Sequence, residues 1–134
     1  MAVGRIISGG QTGADQGGLA AGVTLGIPTG GWAPRGWKTE AGSAPWLADL
    51  GLVEHTSPRY LPRTRANVLA SGGTLLIGNP SSRGSRLTAR LAREAGKPLY
   101  LIVTEPRRDL SRHIEPFWQW LLRHDAQVLN VAGN

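Results

Sequence analysis

The sequence predicts a three-layer α/β/α domain built on a mostly parallel sheet. Three observations carry that prediction. Short, continuous apolar runs alternate with segments of helical period, the pattern of parallel strands covered on both faces. Two of those runs, Ile6-Ile7 and Leu75-Leu76-Ile77, empty directly into glycine-bearing turns that open helices. The 134 residues suffice for one core and not for two, so residues 1–134 are read as a single domain.

Taken in order, the first strand ends at Ile7 and a helix is expected over residues 12–25, capped by Thr12 with Asp15 in the acid position of a capping box. Leu19, Val23 and Ile27, four apart, would face the sheet, and Gly26 would close the helix. Gly17, Gly18 and Gly22 each cost a helix about 1 kcal/mol relative to alanine, which implies close packing there. Residues 28–50 are rich in Pro, Gly and Trp and offer one short strand near 28–31; residues 52–55 offer another. A helix over 61–71, a buried strand at 73–77 and a helix from Gly84 or Ser85 follow, the latter with Leu87, Leu91 and Ala95 inward and Gly96 as its stop. Residues 99–103 read as a buried strand, 114–124 as a helix with Phe117, Trp120 and Leu121 inward, and 128–131 as the last strand.

Composition narrows the function. No apolar run approaches the ~20 residues of a membrane span, and the first residues lack the pattern of a signal peptide. A cytoplasmic location is expected. The chain has no cysteine and a net charge of +6. Its arginines (among them Arg59, Arg63, Arg65, Arg83, Arg86, Arg90, Arg93, Arg107, Arg108 and Arg112) are scattered rather than gathered into a basic arm. That favours a small anionic ligand over nucleic acid, because arginine also serves bidentate recognition of phosphate and carboxylate.

The chemistry is expected where ligands meet parallel sheets, beyond the carboxyl ends of the strands. In the first loop Gly9, Gly10 and Gly13, with Gln11 and Thr12 between them, let the backbone come close to a ligand or take positive φ. Unpaired amides at a helix start, with the positive end of its dipole, suit an oxyanion. The second loop brings Ser82, Arg83, Gly84, Ser85 and Thr88; Ser82 or Ser85 could equally cap the helix. The two loops are expected to converge on one anion. A third group, Gly31, Trp32, Pro34 and Arg35, would lie on one loop and clamp a flat heterocycle. Asp15 beside such a site is expected to hold the loop or meet a ligand hydroxyl rather than act as a base. Neither a dinucleotide G-x-G-x-x-G nor a P-loop is present. His55, His113 and His124 lack metal-ligand or nucleophile-elbow spacing, so no catalytic or metal residue is assigned and a binding role is favoured over an enzyme. Extra tryptophans and glycine-faced helices predict a homo-oligomer, dimer or tetramer.

The first loop, residues 27–36, Arg63-Thr64-Arg65-Ala66-Asn67-Val68, Leu87-Thr88 and Leu129-Asn130-Val131-Ala132-Gly133 resemble the molybdenum (cofactor) carrier family of the Rossmann-like SLOG superfamily. The resemblance runs over nearly the whole chain. It implies a Rossmann-like fold and a protein that holds the molybdenum cofactor, a pterin with a terminal phosphate, and it adds Arg63, Thr64 and Asn67 to the binding residues. One departure is Arg83-Gly84-Ser85-Arg86 where the family's second loop reads Gly-Gly-Thr-x. Two alternatives remain: a LOG-like nucleoside-monophosphate phosphoribohydrolase, and a nucleotide- or DNA-binding SLOG module. Against the first, Thr88 stands where the LOG glutamate belongs, and a hydroxyl cannot do that carboxylate's work.

Overall fold

The computed structural model describes residues 3–104 and 110–134; Arg107 and Arg108 fall outside them. The elements run β1 (Arg5–Ile7), α1 (Ala14–Leu25), β2 (Thr29–Ala33), β3 (Lys38–Thr39), β4 (Gly42–Ser43), a 3₁₀ turn (Pro45–Leu50) and β5 (Leu52–Glu54). They continue with α2 (Tyr60–Ala70), β6 (Gly73–Gly78), α3 (Arg83–Glu94), β7 (Leu99–Val103), a second 3₁₀ turn (Ser111–His113), α4 (Ile114–His124) and β8 (Val128–Gly133). Six strands form a sheet in the order β5-β2-β1-β8-β6-β7, and every pairing in it is parallel. β3 and β4 make a separate antiparallel hairpin. The Rossmann-like α/β architecture is thus as the sequence predicts.

The pleat sorts the core. Leu129 and Val131 of β8, with Ile6 and Leu75, face α4 and meet Trp120 and Leu121. On the other face Val68 of α2 packs with Leu91 and Ala92 of α3. Leu19 of α1 joins a third cluster with Ala33, Leu47 and Leu52. Between α1 and α4 the sheet stays uncovered, leaving an apolar trough of about 760 Å³ whose walls include Gly17, Ala21, Phe117 and Trp118.

Several expectations are corrected. α1 begins at Ala14, and Gly13 at φ 85° precedes it without any side-chain cap, so Thr12 does not cap it. Asp15 turns inward instead of closing a capping box. Val23 is 60% exposed, and Ile27 lies beyond the helix end. Gly18 and Gly22 do lie against Val131 and Thr29, whereas Gly17 faces open space. Trp32 belongs to a strand rather than a loop, since β2 runs on to Ala33. β7 is an edge strand with Leu101 and Val103 exposed, not a buried one. β8 extends to Gly133, two residues past the predicted end, and Ile7 pairs with Asn130. The last residues of β8 therefore run beyond the end of β1, alongside the first glycine loop.

Candidate functional site

The β1–α1 loop is organised from below by one carboxylate. Asp15 is buried; its Oδ2 accepts from the Gln11 amide at 3.2 Å, and the amides of Gly9 and Gly133 lie near enough to the carboxylate to favour its charged form. It thereby ties the loop to the end of β8. Ser8 Oγ accepts from the Gly10 amide at 3.1 Å, and Gln16 Nε2 donates to the Gly10 carbonyl at 3.1 Å. Gly10 and Gly13 adopt φ of 75° and 85°, where a side chain would be strained.

Arg63, from the second turn of α2, lies across the bare backbone of Gly9, so a Cβ there would collide with the guanidinium. Its Nη1 stands 3.9 Å from Asp15 Oδ2, too long for a hydrogen bond, and its Nε is buried without a partner. Burial pushes the Asp15 carboxyl up to about 6, against the opposing pull of Arg63 and the three amides. Burial also lowers the Arg63 pKa, and Asp15 opposes that shift; a guanidinium nevertheless stays charged.

The raised value carries a stability consequence. Between pH 3.8 and about 6 the folded chain binds more protons at Asp15 than the unfolded chain. Stability from this group is therefore fully present below pH 3.8 and declines as pH rises through about 6. The penalty above that range is about 3 kcal/mol at most, at 1.36 kcal/mol per unit. In denaturant titrations from pH 4 to 7, Asp15→Asn is expected to flatten this decline; an unchanged slope would assign it to another group.

The second loop lies on the same carboxyl edge, on the far side of β8. Ser82 caps α3, accepting from the Ser85 amide at 3.2 Å, which uses its hydroxyl structurally. Thr88 is buried and donates to the Gly84 carbonyl at 3.1 Å. Ser85 is buried too, and its Oγ has no partner. Among the described residues no hydrogen bond takes the amides of Thr12, Gly13, Arg83 or Gly84. Asn134 stands between the two loops that are expected to converge on one anion. Its Oδ1 accepts from the Asn79 amide at 2.9 Å, its amide donates to the Ile77 carbonyl at 3.0 Å, and its backbone lies against Gly13. Asn134 bridges the loops and takes one donor from the second.

The third group does not form one clamp. Gly31, at φ 121°, is pressed against the Ser8 backbone. The Asn67 side chain is spent on the strand: Oδ1 accepts from the Trp32 amide at 3.0 Å and Nδ2 donates to the Trp32 carbonyl at 3.1 Å. Pro34 is fully buried, Thr64 is buried, Trp32 is half-buried and Arg35 is exposed beyond the strand end. No described contact joins the Arg35 guanidinium to the glycine loop.

Two neighbours of the site escaped the sequence reading. Lys38 receives the Gln11 side chain, whose Nε2 donates to its carbonyl at 2.8 Å. Tyr60 holds two cations near its ring centroid, Lys38 Nζ at 5.2 Å and Arg63 Cζ at 5.3 Å. A tyrosine one helical turn before Arg63 was the available signal.

Comparison with known proteins agrees with the fold. A family model described as the circularly permutated YpsA SLOG family matches residues 6–134. The chain is 38% identical to a solved structure, "Putative molybdenum carrier protein" from Syntrophus aciditrophicus SB, with a TM-score of 0.90 over 99% of this chain and 83% of that one. No curated protein matches the chain.

Proposed function

The chain belongs to the circularly permuted YpsA SLOG family, and from that premise we propose that it binds and carries a phosphorylated heterocycle. The molybdenum cofactor is the ligand we name, because the similar solved structure bears the name of a molybdenum carrier. One observation carries the reading. Four buried side-chain atoms lack a partner among the described residues, and three of them (Gln11 Oε1, Arg63 Nε and Ser85 Oγ) lie at the glycine loop or the opening turn of α3. The fourth, His113 Nε2, precedes α4. Buried polar groups are ordinarily paired, so such a cluster is suited to a polar ligand.

In this reading the phosphate sits at the start of α3, on the free amides of Arg83 and Gly84 with Ser85 beneath them. Arg63 and Gln11 hold the rest of the ligand. If the cofactor is bound, its pterin supplies the dithiolene that ligates molybdenum, and these residues supply only binding and orientation. The hydrolase alternative is disfavoured by Thr88, whose hydroxyl is engaged with the Gly84 carbonyl in place of a carboxylate. Native mass spectrometry of the purified chain is expected to show a bound phosphorylated heterocycle, and incubation with AMP to release no adenine. Released adenine would overturn the carrier reading. DNA binding that survives physiological salt would favour a nucleic-acid module.

We also infer a homo-oligomer. Ile114, Trp118 and Leu122, four apart on α4, are exposed beside the uncovered trough, a patch that soluble monomers rarely leave open. No helix among the described residues is long and apolar enough to cross a membrane. A second copy laid on this face buries it twofold. Light scattering is expected to give a dimer or tetramer mass; a monomer at micromolar concentration would contradict this.

A further inference from the structure

Five residues around the glycine loop close a ring of contacts. The Gln11 amide and the Arg63 guanidinium both approach Asp15 Oδ2, at 3.2 and 3.9 Å. Arg63 and Lys38 both stand over Tyr60, and the Lys38 carbonyl accepts from Gln11 Nε2 at 2.8 Å. Two members of this ring contribute the orphan atoms: Gln11 Oε1, which can only accept, and Arg63 Nε, which can only donate. The side-chain amide cannot be turned to relieve the first, because the Lys38 carbonyl needs the donor it now receives. Neither Gln11 nor Arg63 is more than 8% exposed.

We propose that this ring is a closed subsite for the lactam edge of the ligand's heterocycle, with the ring N–H donating to Gln11 Oε1 and the ring carbonyl accepting from Arg63 Nε. The proposal rests on the carrier reading above and specifies its ligand class. Phosphate and carboxylate present acceptors alone and would leave Gln11 Oε1 facing oxygen. The guanidinium is held between the bare backbone of Gly9 and the Tyr60 ring, which fixes its Nε donor in place for a planar ring edge. Over it, Lys38 sits on a hairpin of two two-residue strands, held by the Gln11 bond and the contact of Lys38 with Tyr60, while Thr39 of the same hairpin is buried. Movement of the Tyr60 and Lys38 side chains, with the bond from Gln11 to the Lys38 carbonyl kept, opens both atoms to a lactam that satisfies both at once.

Calorimetric titration of guanosine 5′-monophosphate and of 2-aminopurine riboside 5′-monophosphate, which lacks the lactam, tests this on the wild-type chain. The guanine nucleotide is expected to bind at least about tenfold tighter, and Gln11→Met to lower that ratio while the Arg63 bond to the ring carbonyl keeps it above one. Equal affinities, or a ratio unmoved by Gln11→Met, would overturn the subsite. Should Gln11→Met not fold, 1-methylguanosine 5′-monophosphate replaces it, with the same tenfold loss expected on the wild-type chain. Inorganic phosphate is titrated in parallel. If it binds and neither nucleotide does, the lactam subsite alone falls; if nothing binds, the carrier reading falls with it.

Discussion

Arg63→Met is expected to weaken binding of a phosphorylated heterocycle about 100-fold with the chain still folded. The methionine keeps the apolar stem that leads to Gly9, and it removes the guanidinium that lies across Gly9 and beside Tyr60 and whose Nε is unpartnered. Hydrogen bonds to a charged group contribute about 1.5–3 kcal/mol each, enough for a loss of that order. Asp15 then loses the positive charge that draws its pKa down, so its carboxyl titrates above about 6. Arg63→Lys restores charge without the planar fork and is expected to fall between the two. Calorimetry gives the affinities, and circular dichroism checks the fold. Wild-type affinity in Arg63→Met would remove this residue from the site.

Gly31→Ala is expected to destabilise the chain by roughly 3–5 kcal/mol, from backbone strain plus overpacking. The residue sits at φ 121° in β2, and a Cβ there would meet the Ser8 carbonyl and come within 2.8 Å of the Ser8 amide. Neither neighbour can yield, since both are backbone of the strand end that leads into the glycine loop. At about 2–4 °C per kcal/mol for a domain of this size, the melting temperature drops by on the order of 10 °C. Gly17→Ala is the control: it faces open space inside α1, and alanine there is expected to stabilise by up to about 1 kcal/mol. Equal melting temperatures for the two variants would contradict this account of β2.

What the sequence made legible was mostly local. The helix over 114–124 agrees with α4 residue for residue, because Pro116 in the first turn and the spacing of Phe117, Trp120 and Leu121 state its start and its inner face. The run Leu75-Leu76-Ile77 reads directly as an interior strand. Gly26 ends α1 in the left-handed conformation its position implies. Position within the sheet was not legible: apolar content alone cannot tell that residues 99–103 lie at an edge and 73–78 inside. Val23 was misjudged for a related reason, as helical period indicates a face without saying whether anything covers it.

The site was legible by residue and not by pairing. Gly9, Gln11, Asp15, Arg63 and Ser85 all follow from the sequence reading, yet what joins them spans long stretches of chain. Arg63 meets Asp15 across 48 residues (63 minus 15), and Lys38 meets Gln11 across 27. Asn67 carried a motif signal and turned out to be spent on the Trp32 backbone. Lys38 and Tyr60 carried almost none, because a lysine on a two-residue strand and a tyrosine at a helix start are ordinary until the fold sets them around one guanidinium.

In the proposed binding mode the first turn of α3 receives a phosphate while the glycine loop and Arg63 hold what the phosphate is attached to. A crystal structure of the chain with guanosine 5′-monophosphate tests it most directly. Phosphate oxygens are expected within about 3 Å of the Arg83 and Gly84 amides, with the base toward Arg63 and Gln11. A phosphate seated instead on exposed arginines such as Arg35 or Arg90, with the start of α3 unengaged, would contradict it.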